Sequence, residues 1–551
     1  MTRSRKTFHV VSRSVLALTI GSTIAYARVR LPPHAQVPMS YGNWLQLRSD
    51  PASMSQLLSR PAPVIAPALS GIVIGPWQSL TNPLPGGNAA NPLLLTDGNV
   101  IVHIDSTRSW WQLTPDINGS YVNGTWSQIA SLPQGYEPRF FASQILTDGR
   151  VIINGGEYNS GAPVFTTLGA IYDPLLNVWN PVNPPPTWGS IGDAQSIVLD
   201  DGTYMLANSQ TREQALLTGF DSTFTWTATG VGKTDRNDEE GWSLLPDGNV
   251  LTVDAYTDAT CDTGSELYDD EKGFWLSVGS TIVQLPDCNR NQSFEVGPQP
   301  LRPDGTVIAF GGTTTGSAHT AIFHSSTYTW TVGPDVPSIG GTPYTLADAP
   351  SAVLPGGNVL FAASPSNWPN NRAFPRPTHF FEVSLSNTIT QVTDNPDGAN
   401  LSSFEWNFLM LPTGQVLAAE TDSPNIWVYT PSGSPDPSWK PIIYAWPPIV
   451  GSGSATYRLT GTQFNGLSEG VSYGDDVQAA TNFPIVKIVN DATKHEFYQR
   501  TFGFTRSVAF SPEEAGTSTN FTVTATTETG AGSLYVIANG IASDPVPVVV
   551  Q

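Results

Sequence analysis

Four carboxylates occupy matching places in this chain. Asp193, Glu239, Asp348 and Glu405 each stand eight positions ahead of a turn signal, at Asp201-Gly202, Asp247-Gly248, Gly356-Gly357 and Thr413-Gly414. Carboxylates brought together repel, which raises their proton affinity unless a cation, a buried arginine or water relieves them. Such a cluster supplies an acid and a base to a bound substrate, or holds Ca²⁺ on hard oxygen ligands. The same side chains also serve as caps, accepting hydrogen bonds from loop amides between structural units. We take Glu239, Glu405, Asp193 and Asp348 as candidate catalytic residues. Asp238, Glu240 and Glu295 lie beside them, Arg139 and Arg236 offer counter-charge, and Phe140, Phe404 and Trp406 lie at or next to the same register; these are candidates for ligand contact.

The elements that must position these groups are hairpins. Arg236 to Asp254, RNDEEGWSLLPDGNVLTVD, reads as two short apolar strands joined at Pro246-Asp247-Gly248, with Asp-Gly supplying the positive φ of a two-residue turn. Copies surround Asp97-Gly98, Asp148-Gly149, Asp201-Gly202, Asp304-Gly305, Gly356-Gly357 and Thr413-Gly414, at spacings of 46 to 57 residues. That interval is close to the roughly 50 residues of a kelch-type propeller blade. The expected fold is therefore all-β, a seven-bladed propeller over residues 71–440, in which the start of each innermost strand borders the mouth of a central channel. Tyr172 and Trp179, Phe220 and Trp226, Tyr268 and Trp275, and Phe323 and Trp330 recur after the hairpins and are read as packing between outer strands. Gly71–Leu80 is expected to supply the strand that closes the ring, because an open sheet edge would otherwise remain. Beyond residue 440 the turn repeat stops; TYRLTGTQF, PIVKIV, NFTVTAT and SLYVIA alternate as in an immunoglobulin-like β-sandwich over 441–551.

Residues 1–27 read as a secretory signal peptide, with Arg3, Arg5, Lys6 and Arg13 ahead of the apolar run Val15–Ile24 and a small-x-small site at Ala25-Tyr26-Ala27. Residues 28–70 read as a Pro-rich leader. The chain carries a net charge of −21, and removing the first 27 residues takes away only basic side chains. Nucleic acid and anionic membranes are therefore excluded as partners. Cys261 and Cys288 are expected to pair in an oxidising compartment. Asn118, Asn123, Asn291, Asn400 and Asn520 head glycosylation sequons. The expected molecule is a secreted, monomeric glycoprotein. His103, His319, His324 and His379 fall in strand-like segments without metal-ligand spacing, and no metal site is assigned.

Seven such units followed by LTGTQFNGLSEGVSYGDDVQAATNFPIVKI and SLYVIANGIASDPVPVVV resemble the galactose oxidase and glyoxal oxidase-like group of secreted proteins, over roughly residues 85–551. The resemblance implies a propeller, a terminal sandwich, and one copper ion held by two tyrosines and two histidines, one tyrosine being cross-linked to a cysteine. The family's adjacent Tyr-His pair falls nine and eight residues ahead of the last turn, where this chain has Phe404 and Glu405. The terminal-domain loop that would bring the second histidine, Tyr473–Asn482, has none; His495 lies further on, in a strand-like stretch. Copper is accordingly not expected and no cofactor is assigned, while the acids are of a kind that can hold Ca²⁺. The reading is a copper-independent enzyme using carboxylates for acid-base chemistry on a small polar or carbohydrate ligand. The alternatives are a non-catalytic protein that binds a glycan or partner, and a divergent copper-radical oxidase with ligands outside this register.

Overall fold

Seven small antiparallel sheets succeed one another along the chain, each built as a meander from an inner strand outwards. The computed structural model describes residues 71–551 apart from 220–222, 257–262, 288–293, 367–373, 422, 454, 474–480 and 505–515. The inner strands of blades 1 to 4 are Ala89–Leu94, Ala142–Ile145, Ser196–Val198 and Ser243–Leu244. Those of blades 6 and 7 are Ser351–Val353 and Trp406–Met410. In blade 5 the inner strand is reduced to two bridges, Val296 to Gly311 and Leu301 to Val307. The blades stand side by side around an axis, tied where neighbouring inner segments meet. Asn91 donates to Ser143 (3.1 Å), Gln144 to the Ser196 carbonyl (2.8 Å), and Asp348 N–H to the Val296 carbonyl (3.2 Å). Ala89 N–H donates to the Ser423 carbonyl (2.9 Å), joining blade 1 to blade 7.

Each of the seven turn signals makes one kind of loop, and it is one residue longer than the expected two-residue turn. Leu245 N–H bonds the Asn249 carbonyl (2.8 Å), and Gly248 N–H bonds back to Leu245 (3.0 Å). The same pair of bonds recurs from Leu95, Leu146, Leu199, Arg302, Leu354 and Leu411. These are three-residue loops with a glycine in the left-handed region, at φ between +79° and +89°. In the five Asp-Gly copies the aspartate accepts the N–H two residues on, as at Asp97 and Asn99 (3.0 Å). The aromatic pairs are cross-strand neighbours, with ring centroids 5.0 Å apart for Tyr172 and Trp179, 5.5 Å for Tyr268 and Trp275, and 5.1 Å for Phe323 and Trp330. Phe220 lies outside the described residues.

The first described strands close the ring. Trp77–Ser79 pairs antiparallel with Ile426–Tyr429, so the sheet of the last blade takes its outer strands from the start of the chain. Trp77 is fully buried against Phe380 and Tyr429.

After a short 3₁₀ turn at Pro437–Trp439 the chain enters two further sheets. One contains Ile442–Ala445, Thr456–Thr462, Thr517–Thr522 and Thr501–Phe502, and the other Ile485–Asn490, Glu496–Gln499, Gly530–Ala538 and Val546–Val550. Leu459, Phe521, Val486, Ile488, Leu534 and Val536 are buried between them as a separate core. This sandwich docks on the face of the propeller that carries the glycine turns: Thr501 N–H bonds the Thr96 carbonyl (3.2 Å) and Gly503 N–H the Thr147 carbonyl (2.7 Å). From it, Glu469–Tyr473 runs up along the inner strands, with Val471–Ser472 pairing antiparallel to Ser351–Val353. Among the described residues no helix is long and apolar enough to cross a membrane.

Candidate functional site

At the heads of the inner strands, opposite the glycine turns, the backbone kinks. Phe140, Glu239 and Asp348, which share the same register in blades 2, 4 and 6, have φ of +51°, +59° and +45°, and Phe294 in blade 5 has +65°. A side chain larger than glycine pays roughly 1 kcal/mol or more for this region, so its repetition marks a constrained place. Here Glu239, Glu295 and Asp348 meet, each at most 8 % exposed, with one carboxylate oxygen from each within 4.8 Å of the others. Among the described residues neither oxygen of Glu295 accepts from a donor. Burial, then the neighbouring Asp348 and Glu239, hold Glu295 well above the usual carboxylate range. Glu239 is also raised well above it, by burial first and then by the charges of Asp238, Asp348 and Asp193. Three acids packed this closely without a counter-charge on Glu295 favour keeping a proton within the trio.

The other expected residues divide. Asp193, from blade 3, is close enough to act on Glu239 through its charge. Arg236 reaches Asp238 (3.5 Å) and lies 3.6 Å over the Tyr256 ring. Arg139 lies 4.7 Å over Phe140 and 3.5 Å from Asp105. Glu405 is withdrawn into a capping role in a 3₁₀ turn: it accepts the Ser402 N–H (2.5 Å) and faces Arg376 (3.7 Å). Glu240 points to another cluster, where it accepts from Thr252 and, with Asp235 and Glu266, surrounds the fully buried Lys233; the Nζ distances to Glu240 and Glu266 are both 2.8 Å. Trp406 is a core residue rather than a ligand contact: it is 0 % exposed, with its Nε1–H donated to Thr378 and its ring edge-on to Phe380. Phe404 is half-buried against Phe374. Cys261, Cys288 and Asn291 lie outside the described residues; Asn118, Asn123 and Asn400 are exposed and Asn520 is half-buried.

Known proteins resemble the chain only at a distance. No protein-family model and no curated protein matches it. Among solved structures, a copper-bound fungal alcohol oxidase of the AA5 family is 13 % identical, over 87 % of this chain and 99 % of that one, with a TM-score of 0.47. An inactive virginiamycin B lyase from Staphylococcus aureus with quinupristin is 10 % identical over 65 % and 99 % (TM-score 0.43), and YCF48 bound to a D1 peptide is 12 % identical over 67 % and 100 % (0.42). At these scores the likeness carries no chemistry, and the site stands on its own residues.

Those residues do not fit a copper centre of the two-tyrosine, two-histidine kind. Where that family has its Tyr-His pair, the Phe404 carbonyl accepts the Tyr473 hydroxyl (2.8 Å) and the Glu405 carboxylate is held by a backbone amide. The converging donors are carboxylate oxygens, which suit protons or a hard cation better than copper. His495 precedes the strand Glu496–Gln499 and bonds Glu528 (2.7 Å) in the sandwich.

Eight positions ahead of Asp304-Gly305 the register falls on Val296, one position beyond Glu295. The irregular inner segment of blade 5 accounts for the slip, since a strand reduced to isolated bridges does not hold the period-two phase. Tyr256 and Phe294, whose rings meet at 4.6 Å beside Arg236, carry no signal in the repeat and were missed.

Proposed function

We propose that the head of the channel is the active site of a copper-independent enzyme that moves protons on a small polar or carbohydrate ligand outside the cell. What carries the reading is the trio Glu239, Glu295 and Asp348: buried, with one carboxylate oxygen from each within 4.8 Å of the others, and with no donor on Glu295 among the described residues. Three such groups do not all ionise near neutral pH, so the trio offers a carboxylic acid and a carboxylate side by side. The three carboxylates reach one another with an oxygen from each. This arrangement suits a shared proton, removed from one ligand atom and returned to another. Half-buried Phe140, Phe294 and Phe404 add apolar ring faces of the kind that meet the C–H faces of a sugar.

Screening of small sugars and polar acids for turnover, with Glu239→Gln and Asp348→Asn as controls, tests the reading. Both variants are expected to lose at least about 100-fold in kcat, the usual scale of a general acid or base. Full turnover of a converted compound by the Glu239→Gln/Asp348→Asn double variant overturns it. A second reading, a bound Ca²⁺, is favoured by the all-oxygen donor set. Calorimetry at neutral pH separates the two: stoichiometric Ca²⁺ binding that Asp348→Asn abolishes supports the cation.

A further inference from the structure

The carboxylates of the trio come from blades 4, 5 and 6, and the segment of the sandwich that enters the channel bonds to the inner strands of these three blades. The Glu469 carboxylate accepts the Leu244 N–H of blade 4 and the Leu301 N–H of blade 5, each at 3.1 Å, while its own N–H bonds the Leu301 carbonyl (3.1 Å). Ser472 Oγ accepts the Gln299 N–H of blade 5 (3.1 Å). Gly470 accepts the Val353 N–H of blade 6 (3.1 Å), and Ser351 donates to the Ser472 carbonyl (3.2 Å). Gln299 in turn bonds the Gly241 carbonyl, two residues beyond Glu239, and Ser243 donates to the Gln299 carbonyl. Next in the segment, the Tyr473 hydroxyl donates to the Phe404 carbonyl of blade 7 (2.8 Å).

We infer that Glu469 and Ser472 are positioning residues for the active site proposed above, the sandwich acting through them to set how closely Glu239, Glu295 and Asp348 approach. The inference rests on that reading. An inner strand of only two residues, Ser243–Leu244, and another reduced to bridges give blades 4 and 5 inner ladders with little rigidity of their own, Leu244 and Leu301 lying at the glycine-turn end and Gly241 and Gln299 nearer the trio. A carboxylate that accepts one amide from each supplies it from the axis. Asp193 and Asp238 act on Glu239 through their charge, and Arg236 faces Asp238 (3.5 Å).

The test uses the full chain and needs no substrate. Difference infrared spectra between the wild type and Glu295→Gln isolate the C=O stretch of protonated carboxyl groups in the trio, and its disappearance is followed as pH rises. Glu469→Gln keeps the shape but turns one acceptor into a donor facing an amide. It is expected to move the midpoint of the trio by about one pH unit, while Val536→Ala, in the core of the sandwich, lowers Tm and leaves the midpoint in place. Ser472→Ala is the milder variant if Glu469→Gln does not fold, with a smaller shift in the same direction expected. No protonated carboxyl in the wild-type difference spectrum overturns the active-site reading and this one with it. A wild-type band with unmoved midpoints in Glu469→Gln, or in Ser472→Ala where only that variant folds, overturns the positioning role alone.

Discussion

Glu295 is buried, meets no donor among the described residues and has two acidic neighbours, so folding strengthens its hold on a proton. Its proton affinity in the fold lies above the unfolded value of 4.5, hence the native state binds more protons than the unfolded chain as pH rises past that value. The group therefore takes stability away progressively from about pH 4.5 upwards, until its folded pKa is reached. Glu295→Gln replaces it with a side chain whose amide hydrogens donate to Glu239 and Asp348. Thermal unfolding is expected to show the variant more stable than the wild type by about 1–3 kcal/mol at pH 8, with the difference shrinking towards pH 4. Equal stability of the two proteins at pH 8 would contradict a buried, proton-sharing trio.

At the scale of elements, the hairpin loops offer a controlled comparison. Gly98 and Gly305 have the same φ, +79°, in equivalent loops of blades 1 and 5. A Cβ on Gly305 meets nothing closer than Ser325 Oγ at 3.5 Å, whereas on Gly98 it lies 2.5 Å from the Tyr498 ring of the docked sandwich. Gly305→Ala is expected to cost about 1 kcal/mol in chemical denaturation, from backbone conformation alone, and Gly98→Ala clearly more. These loops were also the most legible part of the chain. The Asp-Gly, Gly-Gly and Thr-Gly spacing marked the seven blades, and the register eight positions upstream led to Glu239 and Asp348, because the heads of the inner strands stand a fixed number of residues ahead of their loops. Legibility ended where side-chain direction depends on partners far away in sequence. Glu240 turns to Lys233, Glu405 to its own 3₁₀ turn and Trp406 to the core, although all three sit at or next to the same register. Nothing in the local pattern distinguishes them. The two-residue turn was mistaken for the same kind of reason: Asp-Gly is compatible with both loop lengths, and the bond from Leu245 to Asn249 decides between them.

For the whole molecule, two opposed groups of buried ionisable side chains bracket the pH of greatest stability. Burial of His103 pushes its pKa down to about 4 from 6.5, so the fold holds it neutral and loses stability as pH falls through that interval. The acids of the trio cost stability above about 4.5, and the overall charge of −21 grows more repulsive as pH rises. Maximum thermal stability is expected between about pH 4.5 and 6.5, measured as Tm across a buffer series, with a decline towards pH 8. A maximum at pH 8 or above would show that the trio is relieved by bound cation rather than by protons.

The closure of the ring has a consequence for how the protein is made. Trp77 donates its indole N–H to the Thr393 carbonyl, 316 positions further along, and its strand is completed only by Ile426–Tyr429. On a ribosome this strand emerges well before its partner. Until the two pair, a bulky apolar side chain and an unpaired strand edge remain open to other nascent chains, the situation in which β proteins cross-pair. Synthesis rate and holding by chaperones therefore bear on the yield of this protein more heavily than the strength of any single blade.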